Sequence, residues 1–402
     1  MKENLMQRRN FIRVIGGSTI AAATVTTAAL SGCASAGAYP DAAVEAWQGP
    51  GNEADPRRRA LAYAITAPNP HNLQPWLVDL REPNAIILRT DPQRVLAETD
   101  PFGRQILIGH GAFLELLVMA LSKEGFATQV TLWPEGDLPA DLKVWDARPV
   151  ARIALSKSAS TVMQDSLFNQ VLKRHTPKSD YDAARTVSTA TLQTLLDSSK
   201  VVGIEVGGTV DAAKLSAMRE MCFQSAQVEL LTPRTSMESL KLLRIGPDEI
   251  LKYRDGISLN SGFVRFANAM GLVDRNAPMT EGTTAYKNAF SRFEGHSRTA
   301  MGFVWLTSSG NTRSQQIEAG RAYVRLQLKA TELGVGLHPM SQALQEFAEM
   351  KPHYEKVHQL ILGRSAPRST GDATVQMFCR IGYTASPAPA TPRRPLERFV
   401  QT

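Results

Sequence analysis

Two stretches of this chain share one skeleton. Gly111-Ala112-Phe113-Leu114-Glu115-Leu116-Leu117-Val118-Met119-Ala120-Leu121 runs on to Gly125, fourteen residues after Gly111. Gly320-Arg321-Ala322-Tyr323-Val324-Arg325-Leu326-Gln327-Leu328-Lys329-Ala330 runs on to Gly334, again fourteen residues after its first glycine. Each closing glycine suits the position just past a helix end, where a left-handed backbone is needed. A short apolar stretch follows each, Phe126 to Trp133 and Val335 to Met340. The first helix is apolar nearly all round, so it should be central and buried. Two unrelated core helices could share this pattern by coincidence, and the flanking segments decide the matter.

Strand candidates Trp76–Leu80, Ala85–Thr90 and Ala151–Ser156 flank the first helix. Val201–Val206, Gly302–Thr307 and Thr374–Tyr383 flank the second. Both groups carry the β-branched, apolar composition of strands. Each half thus mixes helices and strands, which points to two α+β units in tandem. The boundary falls near residue 160, where Ser156-Lys157-Ser158-Ala159-Ser160 is small and polar like a connection. The units are 57–160 and 161–402, and 402 residues give room for both. Only the second carries an insert, 231–297, with helical stretches Ser236–Leu243 and Gly262–Met270 joined by Gly- and Asp-rich turns. An insertion of this length is either a lid over a binding site or a surface decoration.

The first 32 residues read as an address, followed by a linker, 33–56. Gln7-Arg8-Arg9-Asn10-Phe11-Ile12-Arg13 resembles a twin-arginine export signal. The apolar run Val14 to Leu30 is diluted by Gly, Ser and Thr and is a poor membrane span. Leu30-Ser31-Gly32-Cys33 resembles a lipoprotein processing box, with Cys33 as the lipidated residue. The other reading is cleavage after Ala34-Ser35-Ala36, which would release a soluble periplasmic protein. A diacylglycerol plus an amide-linked chain would anchor stably, because two or more acyl chains suffice. Cargo of the twin-arginine translocase crosses already folded and often carries a cofactor.

Several chemistries find no support. The formal charge is +7, but Lys2, Arg8, Arg9 and Arg13 against Glu3 account for +3 of it, leaving +4. That modest excess, without a dense basic patch interleaved with aromatics, argues against nucleic acid. Beyond Cys33 only Cys222 and Cys379 remain, either disulfide-bonded or two buried thiols. No zinc spacing occurs among the seven histidines and no GxSxG is present. Gly334-Val335-Gly336 lacks the third glycine of a dinucleotide fingerprint.

Three short motifs remain. Ala67-Pro68-Asn69-Pro70-His71-Asn72-Leu73-Gln74-Pro75-Trp76 sets three prolines and two asparagines between a helix and a strand. Arg174-His175-Thr176-Pro177-Lys178, if extended, points two cations and one hydroxyl to the same side. Phosphate monoesters are held by such charge-assisted donors, although a solvated loop can look the same. Thr391-Pro392-Arg393-Arg394-Pro395 fixes two guanidiniums between prolines, or forms a basic tail.

Taken in order, APNPHNLQPW, KRHTPKSDYD, the glycine-bounded helix ending in GVGLHPMSQ, and PRRP resemble the nitroreductase family of flavoproteins. The similarity spans most of residues 57–400 and is greatest to the fused, Acg-like branch. It implies a nitroreductase-like α+β fold in which two tandem units form an intramolecular pseudo-dimer, monomeric as a molecule. The cofactor it implies is FMN. Its phosphate would be held by Arg174, Thr176 and Lys178, with Arg393 or Arg394. Pro68, Asn69, Pro70 and Asn72 would reach the flavin from the other unit. Pro339, Met340, Ser341 and Gln342 would bring backbone N–H groups to flavin N5. Thr176 replaces the family's Ser, Asn69-Pro70 replaces paired serines, and Ser341-Gln342 stands where many members have Glu-Gly.

The first half has the amide loop without the cationic motif, and the second has the cationic motif without the amide loop. The halves are complementary, so one chain would build one composite site, its second having decayed. No catalytic side chain is required beyond the flavin, which carries the hydride chemistry. The expected reaction is reduction of small acceptors such as nitroaromatics or quinones. In the periplasm a quinol or a protein partner would have to donate electrons in place of a nicotinamide. The rivals are a flavin-sequestering protein with little turnover and a lipoprotein that has lost flavin.

Overall fold

The computed structural model describes residues 39–157 and 165–401. The export signal, Cys33, the alternative cleavage site and the link from Ser158 to the boundary at residue 160 lie outside the described residues.

Two sheets share one strand order. In the first, β1 (Trp76–Asp79), β2 (Ala85–Thr90), β3 (Phe126–Leu132) and β4 (Pro149–Lys157) lie in the order β1-β2-β4-β3. In the second, β5 (Ile204–Thr209), β8 (Gly302–Ser308), β9 (Gly336–Pro339) and β10 (Thr374–Gly382) lie in the order β5-β8-β10-β9. Every neighbouring pair in both quartets is antiparallel. In each, a twenty-residue helix joins the second strand to the third: Arg104–Lys123 and Arg313–Glu332. The repeated glycine pattern therefore sits on repeated topology.

The two helices start and stop by local chemistry. Thr312 and Gln315 form a reciprocal capping box on the second. The first begins at Gly103, and Asp100 accepts from Gln105 N (3.1 Å) and Ile106 N (3.0 Å) instead. Past their ends, Gly125 (φ 82°) and Gly334 (φ 66°) are left-handed, as the sequence requires. The helices cross at Gly111 and Gly320 and share their cores. Ile317, Val324 and Leu328 of the second pack with Trp76, Phe113 and Leu117. Ile108 of the first packs with Tyr323 and Leu326.

One strand departs from expectation. The strand expected at Val201–Val206 is instead β5, which begins three residues later. Val202 is 94% exposed, and Gly203 turns the chain at φ 79°. The strand then runs through Gly207 and Gly208. The Trp305 indole fills the place of a side chain on Gly207, where a Cβ would meet Nε1 at 2.3 Å. A cross-strand aromatic thus supplies what the glycines lack.

The C-terminal segment leaves the second sheet and returns to the first. β11 (Val400–Gln401) pairs parallel with β1, Val78 opposite Val400, and Phe399 is 1% exposed in the first core. The tail so covers the β1 edge, which would otherwise be open to other strands. The insert holds a small parallel pair, β6 (Leu243–Ile245) and β7 (Ile257–Leu259), and four helices, Pro233–Lys241, Gly246–Tyr253, Gly262–Ala269 and Thr284–Arg298. It is fastened to the first half. Glu238 accepts from the backbone of Glu98 and Thr99 (3.0 Å each), and Asp255 pairs with Arg94 at 2.7 Å. Cys222 and Cys379 are buried free thiols, and burial raises both their pKa values.

Candidate functional site

The site starts from the proline-rich loop. His71 (φ 48°), Asn72 (φ 53°) and Gln74 (φ 53°) all adopt the left-handed region within four residues. Such residues carry about 1–3 kcal/mol of strain each and persist only when their surroundings over-determine them. Here they do. Asn72 Nδ2 donates to Pro392 O (2.9 Å), and Arg393 donates to Asn72 Oδ1 (2.6 Å). Gln74 N donates to Asn69 Oδ1 (2.8 Å). The Gln74 amide donates to Arg254 O (2.9 Å) and accepts from Arg394 N (2.9 Å). Asn69 closes the loop on itself, and its Cβ lies near Gly109 of the first central helix. The stiff loop thus grips the C-terminal arginines and the insert.

Behind it, two guanidiniums meet on one carbonyl. Arg174 donates to Thr66 O at 2.8 Å and Arg393 donates to the same oxygen at 2.9 Å. Arg174 also donates to Gln327 Oε1 (2.6 Å), and the Gln327 amide donates to Thr176 Oγ1 (3.4 Å) and Tyr323 OH (2.6 Å). Residues 174 and 176 therefore do point to one side, and Gln327 reads them both. Both guanidiniums also lie over the Trp47 ring, 5.4 and 5.1 Å from its centroid. Of the two C-terminal candidates, Arg393 faces Arg174, while Arg394 turns to Gln74 and the Phe399 ring.

This pair is electrostatically unbalanced. Arg174 and Arg393 are 2% and 3% exposed, and each has an Nε without a partner. Burial pushes Arg174 down to about 10. Burial and then the Arg174 charge hold Arg393 well below its ordinary value. Lys178 is pushed down to about 8 by burial, then by Arg292 and Arg393. Arg292, on the helix Thr284–Arg298, is lowered by burial as well. Lys178 and Arg292 nevertheless keep solvent-accessible side chains. Their charges are thus screened by water more than those of Arg174 and Arg393. Among the described residues, none of Arg174, Lys178, Arg292 and Arg393 makes an ion pair.

Neutral histidines complete the wall. His71 is pushed down to about 4 by burial and then by Lys178, and it contacts Ser239 Oγ at 3.1 Å. His296 Nε2 lies 2.8 Å from Lys178 O, and burial pushes this ring down to about 2. Arg380 donates to His338 Nδ1 (3.0 Å) and Ser179 O (2.7 Å), which ties β9 to the 174–179 segment. Beyond His338 lie Pro339 to Gln342. Met340 is 1% exposed and its N–H is committed to Phe378 O (2.8 Å), so it offers no donor to a ligand. Ser341 opens a short 3-10 turn, where an N–H has no intrahelical partner. Ser341 Oγ and Gln342 Oε1 are buried without partners, as are Gln345 Oε1 and Glu229 Oε2. Burial raises Glu229 to about 7.

The structure therefore joins the loop from Thr66 to Gln74, residues 174–178 and residues 391–394 in direct contact. The sequence reading missed Trp47, Thr66, Arg292, Glu229 and Gln327. Gln327 left a trace: it lies two turns on from Gly320, on the face that packs inward, where a polar residue needs partners.

No protein-family model matches the chain. A Mycobacterium tuberculosis protein provisionally named NAD(P)H nitroreductase Rv3131 is 24% identical over 360 residues, 87% of this chain and 92% of that protein. The NAD(P)H nitroreductase acg of the same organism, also provisionally named, is 35% identical over 92 residues, 23% of this chain and 28% of that one. Among solved structures, the FMN-dependent nitroreductase NfnB of Mycobacterium smegmatis in complex with NADPH is 14% identical. That alignment covers 59% of this chain and 97% of NfnB at a TM-score of 0.36. A nitroreductase of Bacteroides fragilis with bound FMN is 12% identical, over 58% of this chain and 95% of that one, at a TM-score of 0.32. Over most of its length this chain is thus a relative of proteins named NAD(P)H nitroreductases.

Proposed function

We propose that the chain is an FMN-dependent oxidoreductase of the nitroreductase type, with one cofactor site composed from both halves of its sequence. One observation carries this reading: Arg174, Lys178, Arg292 and Arg393 converge without a carboxylate. Buried charge without a counter-ion, as at Arg174 and Arg393, costs several kcal/mol, and an anion held beside it by the exposed Lys178 and Arg292 would offset part of that. The phosphate of FMN is such an anion, so the residues fit the group.

Lys178 and Arg292, with accessible side chains, are the direct phosphate donors. Arg174 and Arg393, locked on Thr66, Gln327 and Asn72, form the charged wall behind them and add to the field. The amide-rich loop holds that wall in register. The Ser341 N–H is the donor that would meet the flavin ring, with the Gln342 Oε1 beside it as an acceptor. The insert, fixed to Asn72 and Gln74 through Gly256 N (3.3 Å) and Arg254 O, limits water access from the loop side. Bound FMN supplies the hydride and electron chemistry, and the protein supplies position and field.

Gln7–Arg13 and Cys33 support an envelope protein, exported by the twin-arginine route and lipid-anchored in the periplasm. There the electron donor is a membrane quinol and the acceptors are small nitroaromatics or quinones. The test is the spectrum of the freshly purified chain, followed by anaerobic reduction with and without menadione or a nitrofuran. Flavin absorption, bleaching on reduction and acceptor-dependent recovery are expected. A colourless protein that takes up no added FMN overturns the reading. Bleaching that no acceptor reverses leaves a flavin-holding protein without turnover and overturns the enzyme.

A further inference from the structure

Four large apolar side chains stand mostly exposed on the insert, two on the helix Gly262–Ala269 and two just past its end. Phe263 is 64% exposed, Phe266 62%, Met270 61% and Leu272 71%. Residues 263, 266 and 270 are spaced to lie on one helix face. Val264, Ala267 and Asn268 face the rest of the insert and are half-buried. Arg265 is the sole charged residue between Gly262 and Val273, and no carboxylate occurs there. Four exposed large apolar side chains within ten residues, with a basic residue among them, are unusual on a soluble surface and mark an interaction site.

The path of the chain says what covers it. Tyr39, the first described residue, donates its hydroxyl to Ser258 O in β7 at 3.4 Å. β7 ends at Leu259, three residues before the helix begins at Gly262. Cys33 is six residues before Tyr39. Six extended residues span at most about 20 Å. With the Tyr39 side chain and its hydrogen bond adding about 10 Å, an acylated Cys33 would hold the strand leading into this helix within about 30 Å of the bilayer surface.

We propose that the exposed face of Phe263, Phe266, Met270 and Leu272 docks on the phospholipid surface of the membrane. The helix lies in the interface plane, with aromatic and aliphatic side chains among the acyl chains and Arg265 at the headgroups. Interfacial binding of this kind scales with buried apolar area and with attraction to anionic lipid. The face adds a second attachment to the acyl anchor. It also brings the insert that covers the composite site to the membrane from which a quinol would come. The choice of a membrane as occupant rests on the envelope reading above, in which Cys33 is acylated.

The chain from Ala36 to Thr402 forms a compact unit by itself, so it can be tested without the anchor. Purified as that unit, it is sedimented with vesicles of phosphatidylethanolamine and phosphatidylglycerol. Co-sedimentation is expected, weakened at least about tenfold by Phe263→Asp with Phe266→Asp, and unchanged by Val202→Asp at a separate exposed position. Thermal melts of both variants establish that each is folded. No vesicle binding by the unsubstituted unit, or equal binding by the double variant, overturns the proposal. So does a vesicle-independent dimer that the double variant abolishes, because the face then belongs to a second copy. Lipid binding is read whether or not flavin is present, so its failure and that of the cofactor reading are separate results.

Discussion

Gly111 and Gly320 lie against each other's helices in a reciprocal way. A Cβ on Gly111 would stand 1.9 Å from the carbonyl oxygen of Ile317, and one on Gly320 would stand 1.9 Å from that of Ile108. Each carbonyl belongs to the residue three before the opposite glycine. The contact is backbone against backbone, so no side chain can rotate to make room. Gly111→Ala and Gly320→Ala should each destabilise by about 3 kcal/mol or more, since overpacking here must separate the helices. Gly262→Ala, with open space around its Cβ, should change stability by less than about 0.5 kcal/mol. Urea titration of the three variants checks this, and a Gly320→Ala protein as stable as the parent would show that the crossing is looser than described.

Lys178 links stability to binding in opposite directions. Its charge faces Arg292 and Arg393, a repulsion that opposes the ligand-free fold and favours an anion. Lys178→Met should raise the melting temperature of the flavin-free protein and weaken FMN binding about tenfold or more, the scale of one charge-assisted hydrogen bond. Calorimetry and a flavin fluorescence titration read the two effects. A variant that binds FMN as tightly as the parent would remove Lys178 from the site.

The same residue sets a pH dependence. Burial and the neighbouring cations hold Lys178 at about 8 in the ligand-free protein. A bound phosphate, doubly charged above its second ionisation at about 6, favours the protonated amine and raises that value. Binding at pH above 8 must therefore take up a proton. FMN affinity is expected to be steady between about pH 7 and 8 and to fall as pH rises further. Titrations at pH 7, 8 and 9 should show that fall in the parent and a flatter profile in Lys178→Met. A parent profile that is flat to pH 9 contradicts the assignment.

Asn72 offers a charge-placement test. Its carbonyl accepts from Arg393 at 2.6 Å, beside Arg174. Asn72→Asp puts a carboxylate where the pair has none. Balancing the Arg174–Arg393 charge opposes the new repulsion between the carboxylate and Pro392 O, so the flavin-free protein should change little in stability, while FMN should bind more weakly because the positive field of the pair falls. Asn72→Ala should cost about 1–3 kcal/mol, since the guanidinium loses an acceptor while buried. Denaturation curves and flavin retention on gel filtration measure both. Stronger flavin retention in Asn72→Asp would mean that the cations serve packing alone.

Much of this architecture is written locally. The period of the apolar residues and the glycines that end them place the two central helices, because a helix end needs a left-handed residue whatever surrounds it. Five of the six strand candidates flanking those helices appear with bounds within two residues or so of those expected. The sixth slid, because its glycines become a strand only under the Trp305 indole of a neighbouring strand. The motifs APNPHNLQPW, RHTPK and PRRP announce amides and cations by composition alone.

What composition could not supply is which of these groups meet. Arg393 reaches Asn72 across 321 positions and Thr66 across 327, and only packing selects it over Arg394. Gln327, Trp47 and Arg292 join the site from elements whose own sequence speaks of core or surface. The tail that returns to pair with β1 crosses the boundary that sequence places between the halves. Helix ends and turn residues act over a few neighbours, so the sequence by itself determined them. The pairing of distant charges depends on how whole elements stack, and only the tertiary structure decided that.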